Sequence, residues 1–80
     1  MRYITFKINN VSYIVTEIGY YNNKIVSFHF EPLEKNMNFK DCYQIKDNNE
    51  FITFKQYVTR VEINSTSNCK PIDLSSIKLI

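Results

Sequence analysis

Eighty residues carry a formal charge of +2, ten Lys and Arg against eight Asp and Glu, with 44% hydrophobic residues and a single Gly. A chain this short buries only about 60% of the surface it exposes when unfolded, so its core is thin and a partner or a second subunit is expected to add to it. These figures exclude a glycine-rich phosphate cradle, a basic block that tracks nucleic acid and an apolar run of about 20 residues able to span a membrane.

Ala is absent and Leu occurs three times, whereas Ile, Val and Thr together number 21. Branched and aromatic side chains fit a pleated surface better than a helix, so an all-β fold is expected. Ile, Asn, Lys, Tyr and Phe make up 41 residues. All five have codons rich in A and T, which points to an AT-rich genome. The stretch from Met1 to Lys7 lacks the apolar run of a signal peptide, so a cytoplasmic location is expected, with Cys42 and Cys69 as reduced thiols.

Along the chain, Ile4, Phe6 and Ile8 alternate with Tyr3, Thr5 and Lys7, the period-two pattern of a half-buried strand. Asn9-Asn10 reads as a tight turn, because Asn accepts positive φ more readily than other non-glycine residues. Val11 to Tyr20 is apolar on both faces and reads as a long central strand. Gly19 followed by Tyr20-Tyr21-Asn22-Asn23 marks the next turn, and Ile25 to Phe30 forms a third strand that Pro32 stops. Two readings compete from Glu31 to Asp41: Pro32 and Glu34 suit one helical turn near 32–38, while Met37, Phe39, Tyr43 and Ile45 alternate like a strand. The balance falls on an excursion followed by a short strand from Asp41 to Lys46.

Asp47 to Glu50 reads as a polar turn, Phe51 to Phe54 as extended chain, Lys55-Gln56-Tyr57 as a tight turn and Val58 to Ile63 as a last strand. A linker begins after Asn64. The expected architecture is a five-stranded antiparallel meander curled into a small barrel over residues 1–64. Residues 65–80 then form a linker and an apolar segment that packs on the barrel or on a partner. The succession of strand, tight turn and final strand from Phe54 to Ile63 is similar in outline to the end of SH3-like and Sm-like barrels. The scarcity of glycine departs from the turns of those barrels, and no residue role is carried over from them.

No catalytic set emerges. His29 is the only histidine, and with Glu31 it supplies two ligands where a zinc site needs at least three from the protein. Cys42 has only lysines nearby to lower its pKa and no glycine-rich turn to offer an oxyanion hole. No cofactor or metal is therefore expected, and the chain is not expected to be an enzyme.

Tyr20 and Tyr21 are neighbours on a strand and cannot both enter one core. Exposed tyrosines favour protein interfaces. The expected contact surface is Tyr20, Tyr21, Asn22, Asn23 and Lys24, with a second surface at Ile72, Leu74, Ile77 and Leu79. The expected activity is that of a non-enzymatic protein-binding module, of a kind with a phage or mobile-element inhibitor that occupies the surface of a host defence protein. The alternatives are a single-stranded nucleic-acid binder that stacks bases on Tyr3, Tyr13, Tyr20, Tyr21, Tyr43 and Tyr57 alongside Lys7, Lys24, Lys46, Lys55 and Arg60, and a small-ligand sponge that holds a nucleotide at a subunit interface.

Overall fold

The computed structural model describes residues 2–62 and 71–80. Two Asn-Asn pairs fold the first half of the chain into consecutive hairpins. Strands β1 (Arg2–Ile8) and β2 (Val11–Tyr21) are joined through Asn9 and Asn10 at φ 50° and 68°, and β2 passes to β3 (Lys24–Pro32) through Asn22 and Asn23 at φ 50° and 63°. Positive φ at both central residues gives the turn whose twist matches that of the flanking strands. The second reversal thus needs only the Asn pair. Gly19 lies inside β2 opposite Ser27, where a Cβ would come within 2.5 Å of the Ser27 hydroxyl oxygen.

The register sets Phe6 opposite Tyr13, Val15 opposite Phe30 and Ile18 opposite Phe28. Irregularities in the β2–β3 ladder between Val15 and Glu17 and between Gly19 and Tyr20 bend the long hairpin. After Pro32 the chain makes a 3-10 turn (Leu33–Asn36) and then β4 (Gln44–Ile45), which pairs with Arg2 and Tyr3. The Tyr43 N–H donates to the Val15 carbonyl at 2.9 Å. Phe39 at φ 56° brings its ring to 4.9 Å from that of Tyr3. The excursion thereby reaches the sheet face on which Tyr3, Thr5 and Ile14 are buried.

From Asp47 onward the structure corrects the strand reading. Asn48–Tyr57 is a helix, α1, and Val58–Glu62 continues it as a π-helical turn. Asp47 caps α1 by accepting the Glu50 N–H at 2.9 Å. Phe51, Phe54, Tyr57 and Val58 follow at helical spacing, so the rings that suggested a strand lie along one helical stripe. The fifth strand comes instead from the C-terminal segment, as β5 (Asp73–Leu79), antiparallel to β1 with Ile4 opposite Leu79. Where that ladder shifts near Lys7, the Ser76 hydroxyl accepts the Lys7 N–H at 2.6 Å.

The result is one antiparallel sheet of five strands with a short helix. β1 bonds to β2, β4 and β5, so the simple meander order is broken, and the sheet does not close into a barrel. A curled meander removes its edges only by pairing its first strand with its last; here β3 pairs with β2 alone and β5 with β1 alone among the described residues.

The core lies between this sheet and α1: Ile4, Phe6, Val15, Ile18, Ile25, Phe28 and Ile77 face Phe54 and Val58. The Phe54 ring is fully buried and meets Phe28 edge-on at 5.0 Å, and burying a side chain of that size contributes about 2–3 kcal/mol. Among the described residues, no helix is long and apolar enough to cross a membrane. The end of the strand expected to run to Ile63, most of the linker expected after Asn64 and Cys69 lie outside the described residues.

Candidate functional site

The β2–β3 tip carries the residues expected to contact a partner, and α1 decides how each is shown. Tyr20 is tied down. Its hydroxyl donates to Glu50 Oε1 at 2.6 Å and lies 2.9 Å from the Tyr43 hydroxyl. The other Glu50 oxygen accepts the Lys46 N–H at 3.1 Å, and the Glu50 N–H binds Asp47. The helix cap and the hairpin tip therefore share one hydrogen-bond network. Burial first, then the Glu50 carboxylate, pushes the Tyr20 phenol far above its ordinary value.

Tyr21 is presented rather than tied. It is 69% exposed, against 47% for Tyr20, and it stands opposite Lys24 in the ladder. Asn22 and Asn23 hold the reversal between them in left-handed backbone. A second bond fixes the tip from the β3 side, where the Tyr57 hydroxyl donates to the Val26 carbonyl at 2.7 Å. Between the helix and the tip runs a groove of about 340 Å³ lined by Asn23, Lys24, Ile25, Thr53, Gln56, Tyr57 and Arg60.

No family model, curated protein or solved structure compared with this chain matches it. The functional reading therefore rests on the residues themselves.

The structure separates the two surfaces proposed from sequence. The tip residues Tyr20 to Lys24 are all exposed. In the C-terminal segment, Ile72 and Ile77 are buried in the chain's own core and Leu79 is partly buried against it. Leu74 and Ile80 remain on the surface, at 39% and 42% exposure. The apolar character of this segment is thus spent largely on docking β5 against β1.

His29 is exposed on β3 opposite Glu17. The Cys42 thiol is pushed up by burial and by the carboxylates of Glu31 and Asp41. That is the reverse of the cationic setting that activates a nucleophilic cysteine. No group of three or more His, Cys, Asp or Glu side chains among the described residues is placed to hold a metal ion.

Glu50 and Gln56 were not foreseen beside the tip, and Tyr43, Tyr57 and Arg60 were expected only as members of the alternative nucleic-acid surface. The signal was present in Asp47-Asn48-Asn49-Glu50, an acidic cap with Glu three residues on, followed by apolar residues at intervals of three and four.

Proposed function

We propose that this chain is a non-enzymatic protein-binding module that works by occupying a partner's surface with its β2–β3 tip. The observation that carries the reading is the contrast between adjacent tyrosines: Tyr20 is bonded to α1 while Tyr21, next to it in the strand, is 69% exposed. A ring held out on fixed backbone offers large contact area with little conformational entropy left to lose. Tyrosine also ranks among the residues that dominate interface energetics.

The wider proposal is that the partner is a host protein and the chain a phage or mobile-element inhibitor of a defence system, acting in the cytoplasm. Small size and A/T-coded composition support this origin. The test is capture from host lysate with the intact chain and with Tyr21→Ser. A specific protein prey lost in the variant supports the reading, and a prey that both forms retain equally refutes the tip as the contact surface. Salt titration of the captured complex separates a protein partner from nucleic acid, whose phosphate contacts make affinity fall steeply with salt.

A further inference from the structure

We infer that Val26 is a second anchor of the proposed contact surface, and that the partner protein seats an apolar patch on the face of the β2–β3 hairpin turned away from α1. This rests on the reading of the tip as a protein-binding surface and adds the face it uses and the chemistry of what that face meets.

The register sets Val26 outside the regular ladder. Tyr20 stands opposite Ile25 and Gly19 opposite Ser27, so Val26 is the extra residue on β3. In an unbroken strand successive side chains alternate between faces, and a single outward residue separates two inward ones. Here two residues, Val26 and Ser27, lie between the buried Ile25 and Phe28, and both are exposed. An inserted residue re-aims the side chain it carries, and Val26 is turned out of the core to 51% exposure.

Its backbone is nevertheless held. The Tyr57 hydroxyl donates to the Val26 carbonyl at 2.7 Å, so α1 pins the main chain of a residue whose side chain stays in solvent. A β-branched side chain also has little freedom at χ1. An apolar group on pinned backbone with few rotamers loses little entropy when a partner covers it.

Tyr21 belongs to the same face. It stands opposite Lys24, and Ile25, the neighbour of Lys24, points into the core. Tyr21 and Lys24 therefore face outward with Val26 and Ser27. Gly19 adds no side chain to this face, and the Ser27 hydroxyl oxygen lies 2.5 Å from where a Gly19 Cβ would stand. A shallow spot thus adjoins the Tyr21 ring and the Val26 methyls. Beyond the buried pair Ile18 and Phe28, Glu17 and His29 form the next outward pair, and both are exposed.

An apolar centre bounded by Lys24, Ser27, Glu17 and His29 has the anatomy of a protein contact. Lys24 and Glu17 carry opposite charges, so the face suits an uncharged apolar patch better than the successive phosphates of a nucleic-acid strand. Other exposed apolar side chains lack this frame. Val11 sits in regular ladder opposite Ile8, and Met37 follows the 3-10 turn on an unbranched, flexible side chain.

The experiment purifies the protein captured from host lysate and measures its affinity for the full chain by calorimetry at low and high salt. The variants are Val26→Thr, which keeps the shape but replaces a methyl by a hydroxyl, Val26→Ile, which keeps the apolar surface, and Val11→Thr as the control. Val26→Thr should weaken binding about tenfold, because the hydroxyl loses its water in an apolar contact. Val26→Ile and Val11→Thr should bind within a few-fold of the parent, all variants should melt with it, and salt should change the affinity little. Parent-like binding by Val26→Thr, an equal loss with Val11→Thr, a steep salt dependence, a prey that is only a second copy of this chain, or no specific prey would each overturn the inference. Tyr21→Ser separates it from the reading beneath it. A prey lost with Tyr21→Ser but bound normally by Val26→Thr leaves the tip as the contact surface and removes the second anchor. A prey kept by Tyr21→Ser removes the Tyr21 contact, and the Val26 titration alone then decides the outward face.

Discussion

Asn9-Asn10 and Asn22-Asn23 adopt nearly the same backbone, φ 50° and 68° against 50° and 63°, yet the two tips present different surfaces. The first is flanked by Ile8 and Val11 and adjoins a groove that contains Glu34 and Met37. The second is braced by α1 through Tyr20 and Tyr57 and opens on a groove with Lys24 and Arg60. Identical turn chemistry reverses the chain in both places. What a tip displays is decided by the element packed behind it, and that element arrives from a distant part of the sequence.

The largest test of this difference removes the anchor of α1. Phe54 is fully buried between the helix and Phe28, so Phe54→Ala should destabilise the fold by about 3–5 kcal/mol in urea titration. Native-state hydrogen exchange should then show the Tyr20–Lys24 amides losing more protection than those around Asn9 and Asn10. Equal loss at both tips would mean that the second hairpin does not depend on the helix.

A smaller effect should fall on the two tips alike. Asn9→Ala and Asn22→Ala each force a side chain with no local hydrogen-bonding group into left-handed backbone at φ 50°, at a cost of roughly 1–2 kcal/mol. The two urea midpoints should shift by the same amount. A clear inequality would show that the neighbouring element strains or relieves one of the turns.

How much of this was legible in sequence follows the same division between local and distant causes. Both Asn turns, the first strand and the stop at Pro32 depend on residues adjacent in the chain, and each is found in the structure; the half-buried pattern is not, because Tyr3 and Thr5 are buried along with Ile4 and Phe6 beneath the excursion that follows Pro32. Residues 51–58 were misread because Phe51, Ile52, Phe54 and Val58 are strand-favouring types in a helical arrangement. Their propensity is overridden by the Asp47 cap and by burial of Phe54 against Phe28. β5 was legible only as an apolar tail, since its partner β1 lies at the other end of the chain. The tip was located correctly as a turn, but Glu50, Tyr57 and the groove depend on α1 and went unseen with it.

The next effect belongs to the second tip alone. Tyr20→Phe removes the hydroxyl shared with Glu50 and Tyr43 and should cost about 1 kcal/mol at neutral pH. It also carries a pH signature. The Tyr20 phenol is raised in the folded state, so its contribution is complete below its ordinary value, about 10, and is lost as pH climbs beyond that value. The intact protein should therefore lose stability above about pH 10, and Tyr20→Phe should lose less over the same range. Matching alkaline limbs would show that the bond to Glu50 does not hold in solution.

Tyr21→Ser should have the smallest effect on stability and the most pointed effect on function. The ring is 69% exposed, and substitutions at such positions change stability by about 0.5 kcal/mol or less. A thermal melt should leave the variant close to the parent, while capture of a protein partner should fail. Val11→Ser provides the matching control beside the first tip, because Val11 is also exposed, at 47%, but has no α1 behind it. If Val11→Ser abolishes capture and Tyr21→Ser does not, the working surface lies at the first hairpin, and bracing by the helix serves the fold rather than recognition.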